Sequence, residues 1–488
     1  MWVRALFAAS LASGVLASVA HAKPIDAQLA DLEARVWSAD DYDLPAVERE
    51  VVRMIQVDPR SAYAHQLLSH ILVRFFTRDP GDLYVLKQAS DLAQQAIDLD
   101  PKADSGYVAM ADIMDLMGNP ERGLALLDEA AAAGAEPSWR FYFTRSRLVS
   151  DDTDVKKVLG LLETALGFQD GDRRVIVPYV VALLQSQHQG EQLAAALADW
   201  QRRFPSPLFE LTLAITETDL GRYKQAAALY TNILKHEPKN KEAMVNHAIL
   251  LYRHLGDAGR AIALFEDVIL AHTHDLTAST KAMVFAHLGA ARLKRGDAKQ
   301  AESEFFAAVK ADGENLGIID FVTKVYREHK AHKQLVSFIR LVNDQIGGNG
   351  VLHALLGETL SEELAKHDEA VRAFTDAITL DPDRSDYYNG LGLTYYRQKD
   401  YAQALKHFVA ASEVDPNDAT ARYNEACVLA LLERSDEAVA TLAEALTLDP
   451  RLTKNARTDA DFAKIKGNGR FKELVEQPSV LEDEVLSH

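Results

Sequence analysis

The stretch Ser385–Pro416, SDYYNGLGLTYYRQKDYAQALKHFVAASEVDP, decides the fold. Tyr388, Leu391, Gly392 and Tyr395 recur in steps of three and four, and Ala404, Phe408 and Ala411 do so again after the polar break Gln398-Lys399-Asp400. That spacing puts each set on one face of a helix. Two such helices joined by a short turn pack antiparallel. Small residues at Gly392 and Ala404 let the backbones approach, while Tyr388, Leu391, Tyr395 and Phe408 fill the space around that contact. Pro416 stops the second helix, because it cannot donate a backbone hydrogen bond and it restricts the residue before it. One pair cannot cover its own apolar face, so neighbours must stack on it.

The pattern repeats. Asp381-Pro382, Asp415-Pro416 and Asp449-Pro450 stand 34 residues apart. Downstream, Ala426, Ala438, Leu442 and Ala445 keep the register. Upstream, Leu356, Gly357, Ala370, Phe374 and Ala377 keep it with one extra residue in the turn. Leu288, Gly289, Ala301, Phe305 and Ala308 mark another unit, Ala248, Ala261 and Phe265 the one before it, and Leu213, Ala214, Ala226, Tyr230 and Pro238 the one before that. Near the front, Met110, Ala111, Gly118, Leu127 and Ala130, then Ala89, Ala96 and Pro101, and Val51 with Pro59, fit divergent units. Segments 138–171, 172–206 and 314–349 show helical pairing with little motif.

The 34-residue period and these positions resemble the tetratricopeptide repeat family. The resemblance implies an all-α, right-handed superhelical solenoid of about twelve antiparallel helix pairs. After Pro450, Asp459-Ala460-Asp461-Phe462 and Arg470-Phe471 resemble the tail that closes many bacterial members, with Asn468-Gly469 in place of its usual acidic-proline turn. Phe462, Ile465, Phe471 and Leu474 are expected to cap the last repeat. The organisation read along the chain is a signal peptide over 1–22, divergent repeats over 23–206, central repeats over 207–346, the best-matching repeats over 351–450, a cap over 451–476 and a polar tail over 477–488. Gly347-Gly348-Asn349-Gly350 offers either a hinge or a helix-ending turn.

Composition agrees with this reading. A chain of 488 residues exceeds what one compact core usually spans. With 25 glycines, 15 prolines and 8% aromatics it has too few breakers and β-formers for an extended all-β design. A formal charge of -19 with no long basic run excludes a strong electrostatic grip on nucleic acid or on an anionic membrane. Cys427 is the single cysteine, which excludes an intramolecular disulfide and a cysteine-only metal cage.

Arg4, the mostly apolar stretch Ala5 to Val19 and the small-x-small triplet Ala20-His21-Ala22 form an export signal, with cleavage expected after Ala22. The mature chain is expected in the periplasm or outside the cell, as a monomer with no stable membrane insertion. Elsewhere no apolar run is long enough to cross a bilayer.

Enzyme signatures are missing: there is no His-Glu-x-x-His, phosphate loop, Gly-x-Ser-x-Gly elbow or Ser-x-x-Lys pair. His272 with His274, and His329 with His332 spaced for one helix face, are the nearest approach to ligand pairs, and solvated histidines are the better reading. No cofactor, metal or catalytic residue is assigned. The resemblance implies a concave surface, lined by the first helix of each pair, that grips segments of other proteins. In the family's register the residues facing it are Asn246, Tyr252 and Arg253, then His287 and Lys294, then Asn389, Tyr396 and Arg397, and finally Tyr423 and Asn424. Amide, aromatic and guanidinium groups suit such contacts. The expected function is therefore that of a periplasmic scaffold binding other envelope proteins. The alternative is an envelope enzyme with its active site in 138–206 or 314–349, which a pocket with converging polar groups would favour.

Overall fold

A computed structural model of the chain describes residues 25–38, 43–78, 82–149, 155–168, 171–272, 274–313, 315–347 and 349–476. The expected signal segment and the polar tail lie outside the described residues. Among the described residues the elements are all helices, and the only β-type pairing is an isolated bridge between Ala103 and Glu136. No helix among them is long and apolar enough to cross a membrane.

The chain forms two compact units that divide between Arg222 and Tyr223. The first contains α1 (Ile25–Ser38), α2 (Leu44–Val57), α3 (Ala62–Arg78), α4 (Leu83–Leu99), α5 (Ser105–Leu116), α6 (Pro120–Ala132), α7 (Trp139–Val149), α8 (Val155–Leu166), α9 (Arg173–Ser186), α10 (Gly190–Arg203) and α11 (Pro207–Asp219). The second contains α12 (Tyr223–His236), α13 (Lys241–Arg253), α14 (Ala258–His272), α15 (Ala278–Arg295), α16 (Ala298–Ala311), α17 (Leu316–Glu328), α18 (His332–Ile346), α19 (Gly350–Glu358), α20 (His367–Leu380), α21 (Ser385–Arg397), α22 (Tyr401–Val414), α23 (Ala419–Leu431) and α24 (Ser435–Leu448). A closing segment of α25 (Leu452–Thr458), a 3₁₀ turn (Asp461–Ile465) and α26 (Gly469–Glu476) follows.

Within a pair, the turn is short because one residue takes the left-handed conformation. Gly296 does so at φ 98° and Lys399 at φ 62°, in equivalent places. Asp400 then caps α22 by accepting from the backbone N–H of Gln403 at 3.1 Å, and Asp418 caps α23 from Ala421 at 2.9 Å. The small residue of the first helix faces the phenylalanine of the second. A Cβ on Gly392 would lie 2.6 Å from the Phe408 ring, one on Gly289 2.6 Å from Phe305, and one on Gly357 2.7 Å from Phe374. Phe408, Phe305 and Phe374 are buried, as are Ala404, Ala301 and Ala370.

Two expectations are corrected. Tyr388 and Tyr395 are only half-buried, whereas Tyr387 and Thr394 are buried. Tyr387 reaches back to the start of α19, where a Cβ on Gly350 would come within 2.9 Å of its ring, so it seals one pair against the next. The extra residue between Gly357 and Ala370 does not lengthen the turn. It is absorbed in a π-helical stretch, Thr359–Glu363, that continues α19. Gly347 ends α18 at φ 86°, and one buried core includes Val342 before it and Leu352 and Leu356 after it.

The closing segment caps the core. Phe462, Ile465 and Phe471 are buried, together with Val475, against Tyr423, Ala438 and Leu442, while Leu474 packs at the margin. Asn468 makes the last turn by accepting from the N–H groups of Arg470 and Phe471 at 2.9 and 3.3 Å.

Candidate functional site

Helix pairing fixes what the first helices present. Side chains about one repeat apart meet edge to edge, because each first helix lies beside the next. In the second unit the Tyr252 hydroxyl and His287 Nδ1 are 2.7 Å apart. Lys294 Nζ donates to the Arg253 carbonyl at 3.3 Å, Asn424 Nδ2 to Asn389 Oδ1 at 2.9 Å, and Arg397 to Glu362 at 2.6 Å. The expected groove residues therefore fall into three groups: Tyr252, Arg253, His287 and Lys294; Asn389 with Asn424; and Tyr396 with Tyr423. Asn246 is half-buried on α13.

Their exposure differs from the expectation. Arg253, Lys294 and Arg397 are exposed and Asn389 and Asn424 half-buried, but Tyr252 and Tyr423 are buried at 5% and 8%. Tyr252 and His287 pack with Phe265 and Phe321, an aromatic cluster rather than a partner-facing pair. Burial, with Arg253 nearby, holds the His287 imidazole neutral by pulling its pKa down to about 4.

Tyr396 and Tyr423 are occupied by the chain's own closing segment. The Tyr396 hydroxyl donates to Asp461 at 2.8 Å and the Tyr423 hydroxyl to Asp459 at 2.9 Å. With Leu393, Phe408, Asn424 and Cys427 they line a cavity of about 160 Å³. Cys427, Asp459 and Asp461 bring metal-ligand atoms within 4.8 Å of one another. Yet both carboxylates already accept hydrogen bonds from tyrosine hydroxyls, and burial pushes the Cys427 thiol up, away from the thiolate a metal needs.

The histidine pairs separate. His329 follows α17 and hydrogen-bonds the Val325 carbonyl at 2.9 Å, whereas His332 opens α18 and contacts Glu363, so the two share no helix. His272 bonds the Lys239 carbonyl at 3.0 Å.

Sequence reading missed a polar cavity of about 180 Å³ in the first unit. It lies on four successive first helices, α1, α3, α5 and α7. Its lining includes Glu33, Tyr63, Gln66, His70, Asp104, Trp139 and Arg140. Arg140 pairs with Glu33 at 2.7 Å and covers the Trp139 ring at 5.2 Å. Tyr63 donates to Glu33 at 2.5 Å, and the Ser138 N–H to Asp104 at 2.6 Å. Gln66 Nε2 bonds His70 Nδ1 at 2.6 Å, which leaves the imidazole proton on Nε2, 3.9 Å from Asp112. Burial, reinforced by Arg140, lowers the His70 pKa to about 3. Burial also raises the carboxyls of Asp104 and Asp112 against the partial relief of Ser138 and of Arg147. Of this lining only Ser138 to Arg140 fall in 138–206, one of the two segments expected to hold an active site in the enzyme alternative. A wider cavity inside that segment, about 460 Å³, is lined by Glu163, Thr164, Gly167, Phe168, Arg203 and Phe204, with Arg203 paired to Glu163.

Comparisons with known proteins agree with the repeat geometry. Models of the tetratricopeptide repeat match residues 211–274, 352–384 and 383–451. No curated protein matches the chain. Among solved structures it is similar to a tetratricopeptide repeat protein from Parabacteroides merdae, at 13% identity over 51% of this chain and 96% of that one, TM-score 0.31. It is also similar to YrrB, described as a TPR protein with an unusual peptide-binding site, at 20% identity over 40% and 98%, TM-score 0.29. Yeast Tom70 aligns at 13% identity over 95% and 100%, TM-score 0.30. With the family's models matching where Gly357 meets Phe374 and Gly392 meets Phe408, the chain carries tetratricopeptide repeats.

Proposed function

We propose that this chain is a protein-interaction scaffold, exported to the periplasm of a Gram-negative-type bacterium, that holds segments of other envelope proteins along its first helices. One observation carries the reading: side chains about one repeat apart contact each other, as Asn424 does Asn389 and Arg397 does Glu362, so the first helices offer a row of hydrogen-bonding groups at regular spacing. A partner segment engaging several weak contacts together gains affinity that no single contact provides. The useful groups are the accessible ones, Arg253, Lys294, Asn389 and Arg397, and not the buried tyrosines.

The test is selection of peptides from a random display library on the full chain, followed by affinity measurements with the selected peptides. Asn389→Ala with Arg397→Ala is expected to weaken binding at least tenfold, whereas Lys406→Ala, on the second helix of the same pair, leaves it unchanged. Equal losses in both variants, or none, overturn the reading. Export is tested by N-terminal sequencing of the protein from envelope fractions: Lys23 as first residue supports cleavage after Ala22, and Met1 refutes it.

A further inference from the structure

We propose that the cavity between α1, α3, α5 and α7 receives the lysine or arginine side chain of a partner polypeptide. This deepens the scaffold reading and rests on it.

Size comes first. A cavity of about 180 Å³ is comparable with the ~150 Å³ space that accepts a benzene-sized guest, so it admits one side chain and not a folded element. Its walls suit a long chain with a charged tip. Val108, Trp139 and Tyr63 supply apolar and aromatic surface for a methylene stem, and Glu33 and Asp104 supply carboxylates for the head.

Charge then selects the sign. The cavity holds the carboxylates of Glu33 and Asp104 and the guanidinium of Arg140, and behind its His70 wall, 3.9 Å away, stands the Asp112 carboxylate with Arg147. Arg147 is shared by Asp112 and Asp115, at 3.2 and 2.5 Å. Arg140 is drawn to Glu33 at 2.7 Å. His70 adds no positive charge, since burial and Arg140 keep it neutral. Asp104 is buried at 6% exposure and takes the Ser138 backbone N–H, and its carboxyl is raised because burial outweighs that bond. An incoming ammonium or guanidinium therefore meets carboxylates that outnumber the guanidinium groups among them, in a partly desolvated place where a charge-assisted hydrogen bond is strong. An incoming carboxylate meets the reverse.

Trp139 lines the cavity and serves as the reporter. The full chain is labelled with 5-fluorotryptophan and its Trp139 fluorine resonance assigned with Trp139→Phe. Acetylated and amidated alanine heptapeptides with a central lysine, arginine, norleucine or glutamate are titrated in, and putrescine in parallel. The lysine and arginine peptides are expected to shift the Trp139 signal saturably, and the norleucine and glutamate peptides not to. Glu33→Gln and Asp104→Asn are each expected to weaken the lysine peptide at least fivefold. Both variants keep an acceptor for Tyr63 or for the Ser138 N–H, and unchanged circular dichroism verifies the fold; if Asp104→Asn unfolds, Glu33→Gln decides.

A glutamate or norleucine peptide that binds as well as lysine, or no saturable response, overturns the proposal. Putrescine binding tighter than the lysine peptide overturns the polypeptide as source and leaves a free amine. If display-selected peptides bind without touching Trp139, the cavity assignment alone fails. If selection yields nothing while the lysine peptide shifts Trp139, the scaffold reading fails and the cation site stands.

Discussion

The Tyr396 hydroxyl on α21 lies 2.8 and 3.0 Å from the two carboxylate oxygens of Asp461, 65 residues later in the closing segment. One bond thus ties the cap across α23 to the pair before it. Asp461 is not comfortable there: burial raises its carboxyl, Tyr396 partly relieves it, and Asp459 adds to the strain. A carboxyl whose folded pKa is raised contributes stability below its unfolded value near 3.8, and loses it as pH rises through the folded value. Asp461→Asn keeps an acceptor for Tyr396 and removes the charge. Thermal unfolding at pH 4.5 and 7.5 should show this variant gaining on the wild type as pH rises. Asp461→Ala should lose about 1–2 kcal/mol at either pH, because it leaves the phenol unpaired.

The cap can be followed through the single cysteine. Phe462 is fully buried, 5.7 Å from Tyr423 and 5.5 Å from Phe471 between ring centres. Phe462→Ala should cost about 3–5 kcal/mol of local stability. Cys427, 5% exposed beneath the same segment, reports the opening. Its reaction with a thiol reagent should be slow in the wild type and at least tenfold faster in the variant. An unchanged rate means that the cap is held by something other than these rings.

Gly392 and Gly289 offer a paired test of the helix contact. An added Cβ would meet Phe408 or Phe305 at 2.6 Å, well inside contact distance. Alanine is the better helix former by about 1 kcal/mol, so on propensity alone both substitutions should stabilise. Packing opposes this by about 1–3 kcal/mol when rings must shift. Gly392→Ala and Gly289→Ala are therefore expected to lower urea midpoints, and Gly160→Ala, with open space around it, to raise the midpoint. The opposite order for the buried pair would show that the rings move freely.

These contrasts show what the sequence makes legible. Gly392, Ala404 and Phe408 could be read because a helix pair forces small and large residues into fixed offsets on a single strand of text. Phe462, Ile465 and Phe471 could be read because a terminal repeat needs an apolar cover. Tyr387 was missed beside Tyr388, since one residue of rotation about the helix decides which tyrosine reaches the preceding pair. The cavity around Arg140 was hidden for a different reason. Glu33, Tyr63, Asp104 and Arg140 occupy four helices at places where the repeat pattern leaves the residue type open, and only their meeting gives them meaning. Asp459 and Asp461 were visible as part of a tail motif, yet nothing in the text shows them accepting from Tyr423 and Tyr396.

The buried histidines give the last prediction its sign. Burial lowers His70 to about 3 and His247 and His287 to about 4, so the folded chain keeps them neutral where the unfolded chain takes up protons. A lowered folded pKa means that stability is fully present above about 6.5 and is lost as pH falls toward the folded value. Each histidine then removes about 1.4 kcal/mol per pH unit inside that window. Raised carboxyls such as Glu304, Glu358 and Glu425 move the other way, gaining as pH falls, and soften the decline. His287→Gln can still bond the Tyr252 hydroxyl but cannot titrate. Hydrogen exchange of α13 to α15 at pH 7.5, 6.5, 5.5 and 4.5 should show the wild type losing protection below 6.5. The variant's loss between 6.5 and 4.5 should be smaller by about 2–3 kcal/mol. Parallel curves would mean that His287 takes up its proton as readily in the folded chain as in the unfolded one, and that its burial among Phe265 and Phe321 does not oppose the charge.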